Sequence, residues 1–236
     1  MQIEKYFIEN GGKVSFSKEM GSNFAKRVAG DFNPIHDEDN KRFCVPGDLL
    51  FSVLLHKFGI NKKMHVSFSG MVGDSASLNF LEIDNNIQVQ DDNGKDYLTV
   101  ERSGDNTQNP QLINAIIEKY VTFSGQTFPH ILVPLMEEAG MMINPARPLV
   151  IYENMCLELN NLDIDQPQLE VSESTLTVDG KRGTAILTFN IINHGTLVGQ
   201  GSKQMVLSSL RAYDAEKIST LASDYDHRKQ NYLKAH

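Results

Sequence analysis

An aspartate and a histidine flank a proline corner in the stretch Ala29-Gly-Asp-Phe-Asn-Pro-Ile-His36. Proline cannot continue a helix and restricts the residue before it, so Pro34 fixes the backbone between the two side chains. A carboxylate and an imidazole within hydrogen-bond reach of each other are the smallest set of groups that can take up a proton and return it. In one interpretation of this stretch, Asp31 and His36 are such a pair and act as a catalytic acid and base.

The same residue types also allow a purely structural interpretation. A helix predicted over roughly residues 18–28 ends just before this stretch. In the structural interpretation Asp31 or Asn33 accepts hydrogen bonds from local backbone N–H groups in an Asx-turn, and His36 only packs. Residue types alone leave both interpretations open.

Three segments carry a resemblance to a known family. The stretch 29–36 matches every position of the pattern S/A-G-D-x-N-P-I/V-H, and so resembles the signature of the MaoC-like (R)-specific enoyl-CoA hydratases. Val45-Pro-Gly-Asp-Leu-Leu-Phe51 resembles the opening of that family's central helix, and Phe68-Ser-Gly-Met-Val-Gly-Asp74 resembles the strand after it. The whole chain also resembles the uncharacterised family DUF3581, especially over residues 42–48.

The resemblance to the hydratases implies an α+β hot-dog fold and the hydration of trans-2-enoyl thioesters, bound to CoA or to an acyl-carrier protein. Asp31 and His36 would activate one water molecule for syn addition, and the N–H of Gly47 would hold the thioester carbonyl. Asn33 and Asp48 would contribute to substrate binding. A helix N-terminus suits this role, because its free N–H groups and partial positive charge face a developing enolate oxygen. No metal or redox cofactor is implied.

Asp48 stands where these hydratases usually have an apolar residue, and the segment between His36 and Gly47 is shorter than theirs. Asp48 would either cap the helix or, if it points into the site, oppose the negative charge that catalysis must stabilise. Both departures favour a rival function, a non-catalytic acyl-thioester or lipid-binding protein. A thioesterase is a weaker alternative that needs a carboxylate near the thioester carbon, for which Glu137 and Glu138 are candidates.

Composition limits the classes of partner. The 236 residues carry a formal net charge of −8, which disfavours nucleic acid and anionic membranes as partners. The two cysteines suggest no disulfide framework or metal cluster, and Cys44 is expected to be a small buried side chain. No apolar signal region or membrane-length run is present in the sequence, so a cytoplasmic protein is expected.

Hydrophobic periodicity predicts the domain organisation. Apolar residues at helical spacing predict one helix over residues 49–58 and another over 112–120, and a further helix is expected over 128–142. Four strands then follow, over roughly 150–159, 169–178, 184–192 and 197–210. The order of one helix and then a meander, occurring twice, predicts a double hot dog with domains 1–125 and 126–236. Residues 214–236 are expected to form a charged, helical or frayed tail, and a homodimer is possible.

Overall fold

The computed structural model describes residues 1–235. The α-helices in this part of the chain are Lys18–Asn23 (α1), Gly47–Phe58 (α2), Pro110–Gly125 (α3), Thr127–His130 (α4), Leu132–Glu138 (α5) and Ala215–Ala235 (α6). The strands are Ile8–Asn10 (β1), Lys13–Ser15 (β2), Ile60–Phe68 (β3), Ser77–Ile83 (β4), Asn86–Gln90 (β5), Asp96–Thr107 (β6), Met141–Met142 (β7), Val150–Leu159 (β8), Pro167–Asp179 (β9), Arg182–Asn193 (β10), Thr196–Ser208 (β11) and Arg211–Ala212 (β12).

Ten strands form one continuous antiparallel sheet in the order β1-β2-β4-β5-β6-β3-β8-β11-β10-β9. The two halves of the chain meet where β3 pairs with β8, with Val66 opposite Met155. The remaining strands, β7 and β12, pair with each other. The four strands predicted after residue 150 are confirmed as β8 to β11, with ends shifted by at most two residues.

Helix α2 is buried, as its sequence predicts. Seven consecutive residues, Leu49 to Leu55, lie in the core, in the same cluster as apolar residues of β3 to β6. An all-round apolar helix is stable only where other elements cover it on most sides. The helix ends at Gly59, whose positive φ of 77° places it outside the helical region.

The second long buried helix is α3, and not the predicted helix over 128–142. Leu112, Ile116 and Tyr120 lie on its buried stripe, and the helix packs against α2 and β9. The segment 128–142 instead forms the short helices α4 and α5 followed by β7, and Phe128 is not helical. Phe128 precedes Pro129, and proline disfavours the helical region for the residue before it. Pro134 lies in the first turn of α5, where the missing N–H of proline is tolerated.

Helices α2 and α3 are therefore buried against one antiparallel sheet, and the predicted α+β hot-dog fold is confirmed. The division into domains at residue 125 stays a proposal. Residue 125 is the last residue of α3, and this helix contacts elements of both halves.

Candidate active site

The Asn-Pro corner is built as a set of caps. Helix α1 continues as one π-helical segment, Phe24–Ala29, which ends at Gly30 with a positive φ of 67°. The N–H of Asp31 donates to the carbonyl of Ala25 at 2.8 Å. The Asn33 side chain accepts from the N–H of Ile35 at 3.2 Å and so caps a 3-10 turn, Pro34–His36. The oxygen of the Asn33 amide thus serves the backbone, while its role toward a substrate stays a prediction.

The two carboxylate oxygens of Asp31 make different contacts, one as the structural interpretation requires and the other as the catalytic interpretation requires. Its Oδ1 accepts the N–H of Asn33 at 2.8 Å, which is the Asx-turn. Its Oδ2 lies 3.7 Å from Nε2 of His36. One oxygen therefore fixes the loop, and the other faces the imidazole.

The hydrogen bond on the far side of the imidazole sets its tautomer. Nδ1 of His36 lies 2.7 Å from the carbonyl oxygen of Cys44. A carbonyl can only accept, so Nδ1 carries the proton, and in the neutral ring Nε2 has a free lone pair. Nε2 of His36 and Oδ2 of Asp31 are then two acceptors aimed at the same small volume.

Helix α2 begins at Gly47 beside this pair. The N–H of Leu49 donates to the carbonyl of Pro46 at 3.0 Å, but Pro46 has no side-chain group that could accept from the N–H groups of Gly47 and Asp48. A Cβ on Gly47 would lie 3.1 Å from the ring of Tyr152 and 3.3 Å from that of Phe68. Glycine therefore allows two aromatic rings to close over the start of the helix.

The expected cap by Asp48 is not formed, because its carboxylate bonds away from its own helix. Oδ2 of Asp48 accepts from Oγ of Ser124 at 2.6 Å, and Ser124 in turn accepts from Nζ of Lys203. Oδ1 of Asp48 is buried without a hydrogen-bond partner. We call Asp48, Ser124 and Lys203 the polar triad.

Burial is the largest cause of the pKa shifts of Asp48 and Lys203. Burial raises the pKa of Asp48, although Lys203 and the Ser124 hydroxyl act in the opposite direction. Burial lowers the pKa of Lys203, and the carboxylates of Asp48 and Asp31 act to raise it. The ammonium of Lys203 also lies 4.4 Å from the ring centroid of Tyr152. The interaction of both residues with Asp31 places the polar triad within the field of the Asp31–His36 pair.

Sequence reasoning missed Ser124 and Lys203. A lysine in a strand is usually exposed, but along β11 the buried positions Gly201, Lys203 and Met205 share one side. This alternation was the available signal. Ser124 carried no such signal, since its approach to Asp48 depends on how α3 crosses α2.

Tyr225 of α6 is a second residue that sequence reasoning missed. Its hydroxyl accepts the N–H of Phe32 at 3.1 Å and lies 3.4 Å from Oδ1 of Asp31. On the same helix, Arg228 pairs with Asp37 at 2.8 Å. The predicted tail is therefore a helix that packs onto the segment carrying the Asp31–His36 pair.

These residues surround one cavity of about 630 Å³. All five predicted site residues line it: Asp31, Asn33, His36, Gly47 and Asp48. The polar triad and Tyr225 line it too, and apolar side chains such as Leu132, Ile143, Val150 and Met205 form the remaining wall. A volume of this size suits a small organic ligand.

Other candidates from the sequence lie elsewhere or are inert. Glu137 and Glu138 are exposed and do not line the cavity. Burial raises the pKa of the Cys44 thiol to about 11, so it is not an activated nucleophile. Within residues 1–235, no cluster of three or more histidine, cysteine or acidic side chains is arranged to bind a metal ion. None of the helices described is both long and apolar enough to span a membrane.

Comparison with known proteins adds a family and several distant structures. No curated protein matches the chain. A conserved hot-dog protein of unknown function from Alicyclobacillus acidocaldarius is 7% identical, with 91% of this chain and 99% of that chain covered and a TM-score of 0.49. A putative thioesterase II from Thermobifida fusca is 9% identical (88% and 97% covered, TM-score 0.47), and a MaoC-like dehydratase is 7% identical (87% and 98% covered, TM-score 0.42).

Similarities at this level carry no argument about activity. The family model covers residues 1–216, most of the chain. The chain therefore belongs to DUF3581, described as a protein of unknown function.

Proposed function

We propose that this protein is a hydratase or dehydratase that acts on trans-2-enoyl thioesters of CoA or of an acyl-carrier protein. The observation that carries the proposal is the 3.7 Å separation of Oδ2 of Asp31 and Nε2 of His36 in the wall of a largely apolar cavity. Two acceptors at this spacing can each accept a hydrogen bond from the same water molecule, and these two bonds orient the water oxygen for attack.

The start of α2 supplies the second element that hydration needs. Water addition to carbon 3 pushes charge onto the thioester oxygen, and an N–H donor fixed in advance stabilises that charge. Our proposed donor is the N–H of Gly47, because Pro46 has no side chain that could cap it and glycine has no side chain that would block the approach of a substrate. The positive end of the helix adds to the same stabilisation.

The proposed addition uses one water molecule, the imidazole of His36 and the N–H of Gly47. As the water oxygen bonds to carbon 3, one water proton passes to Nε2 of His36, since imidazole is the stronger base of the two side-chain types. The electron pair of the carbon–carbon double bond moves into the enolate, which the Gly47 N–H holds. The proton on Nε2 then returns to carbon 2. Because one group takes and gives the proton from one side, the addition is syn.

The test is a turnover assay with crotonyl-CoA and longer trans-2-enoyl-CoAs, following loss of the conjugated enoyl absorbance. We expect Asp31→Asn to lower turnover a hundredfold or more, in line with the ~10²–10⁴-fold contribution of positioned acids and bases. The amide oxygen can still accept the N–H of Asn33, so the melting temperature should stay within a few degrees of the wild type. Turnover that survives in Asp31→Asn would contradict the assignment.

Two further measurements on the same thioesters, release of free CoA thiol and calorimetric binding, separate the rival functions. A thioesterase would release free CoA thiol, and the buried carboxylate of Asp48 at the start of α2 is the observation that favours it. The bond of that carboxylate to Ser124 and the nearby ammonium of Lys203 make it a poor free base. A binding protein would show neither loss of enoyl absorbance nor thiol release, yet would bind the thioester.

A further inference from the structure

The polar triad is an unusual feature for the wall of an apolar cavity. Lys203 and Ser124 are each only 5% exposed, and the carboxylate oxygen Oδ1 of Asp48 is buried without a partner. Burying two ionisable side chains that are joined only through a serine hydroxyl is frequently less stabilising than burying apolar side chains of the same volume, and an unsatisfied buried oxygen adds a further penalty. Stability alone therefore does not account for these three residues.

The polar triad lies between the start of α2 and the apolar end of the cavity, where the acyl chain of a bound thioester would run. The ammonium of Lys203 lies over the ring of Tyr152, and the same ring lies next to Gly47. Further along β11, Met205 belongs to the apolar end of the cavity. An acyl chain that begins at the Gly47 N–H and extends to the apolar end therefore passes the polar triad within its first several carbons.

The charges decide which substituent fits there. An ammonium has three donors, of which one is directed to Ser124. The Asp48 carboxyl group reaches Lys203 through the shared hydroxyl of Ser124, and the Asp31 carboxylate lies in the wall of the same cavity. A carboxylate on the acyl chain would thus be disfavoured, whereas a neutral oxygen can accept from Lys203 without adding charge.

We infer that the polar triad selects acyl chains that carry a neutral oxygen substituent, a hydroxyl group in particular, between the thioester and the apolar end. The hydroxyl oxygen accepts from Nζ of Lys203, and its proton can reach the oxygen of Asp48 that has no partner. This inference rests on the proposed acyl-thioester function and adds the substrate class to it.

The test is calorimetric binding of octanoyl-CoA and of its 6- and 7-hydroxy derivatives, whose hydroxyl groups are too distant from the thioester for ready lactone formation; calorimetry is used since the chain has no tryptophan to report binding. These ligands are saturated at carbons 2 and 3 and carry no 3-hydroxyl, so the site neither hydrates nor dehydrates them. We expect at least one hydroxy derivative to bind about tenfold more tightly than octanoyl-CoA, the effect of one hydrogen bond to a charged group.

A charge-balanced double variant, Asp48→Asn with Lys203→Met, should bring that affinity ratio to about one. Lys181→Met, in the exposed turn between β9 and β10, is the matched control and should keep the ratio. Equal or weaker binding of every hydroxy derivative by the wild type would overturn this inference and leave the proposed function standing. A ratio that survives in the double variant would also overturn it. Failure to bind any of the thioesters would overturn both.

Discussion

The hydroxyl oxygen of Tyr225 lies 3.4 Å from Oδ1 of Asp31, although the two residues are 194 positions apart in the sequence. The same oxygen accepts the N–H of Phe32 at 3.1 Å, and its own proton has three acceptors within reach: Oδ1 of Asp31 and the carbonyl oxygens of Gly30 at 3.4 Å and Gly125 at 3.5 Å. Helix α6 thereby contacts the backbone on both sides of the proposed catalytic aspartate. We propose that Tyr225 is a positioning residue for Asp31.

We expect Tyr225→Phe to lower kcat about tenfold and to leave KM nearly unchanged, because a hydrogen bond of ~1 kcal/mol that orients Asp31 is lost. The measurement is steady-state hydration of crotonyl-CoA together with urea denaturation. Tyr232→Phe is the matched control, since the rings of both tyrosines pack on Phe32, while the Tyr232 hydroxyl accepts from Nε of Arg27. Equal losses in the two variants would mean that α6 acts only through packing.

The buried carboxyl of Asp48 should make folding stability fall as pH rises. Its pKa is raised in the folded protein, so between the ordinary value of ~3.9 and the raised value the folded state holds a proton that the unfolded state has lost. The difference in unfolding free energy between wild type and Asp48→Asn should therefore decrease from pH 4 upward. Urea denaturation at several pH values measures this difference. A constant difference across the acid range would contradict the burial of the carboxyl.

Gly47→Ala should impair activity more than folding. The added methyl group would lie 3.1 Å from Tyr152 and 3.3 Å from Phe68, so the rings must shift away from the site that receives the thioester oxygen. We expect kcat/KM for crotonyl-CoA to fall tenfold or more, while the better helix propensity of alanine offsets part of the strain, by ~1 kcal/mol. Gly73→Ala, where an added Cβ meets no atom within 4 Å, should retain wild-type activity. Unchanged kcat/KM in Gly47→Ala would remove the helix start from the mechanism.

Cys44 should react slowly with thiol reagents despite lining the cavity. Burial raises its pKa to about 11, so only a small fraction is thiolate near neutral pH. In a Cys156→Ser background, iodoacetamide labelling at pH 8 should be slow and should increase as the pH approaches 11. Rapid labelling at pH 7 would show an activated thiol and reopen a nucleophilic role for Cys44.

Much of the site was predictable because it is local in the sequence. Asp31, Asn33 and His36 are placed by one short corner, where proline, an Asx-turn and a glycine with positive φ leave the backbone few choices. Gly47 opens a helix whose apolar run predicts burial with no knowledge of what covers it. Local backbone chemistry therefore determined the shape of the corner and the burial of α2, whereas the hot-dog fold and the roles proposed for Asp31, His36 and Gly47 came from the resemblance to the hydratases.

The remainder depended on contacts between distant segments. Periodicity predicted helices both at 112–120 and at 128–142, and it did not show which of them is the second long buried helix. The structure shows that this helix is α3, because α3 packs against α2 and β9, whereas the segment 128–142 departs from helical geometry at Phe128. Lys203, Ser124 and Tyr225 reach the cavity from β11, α3 and α6. The alternation along β11 indicates that Lys203 is buried, but no local pattern indicates that these three side chains meet at one cavity. The sequence determined where a carboxylate and an imidazole lie close together. Only the tertiary structure decided which side chains surround that point, because burial and charge pairing arise between segments that the chain itself keeps far apart.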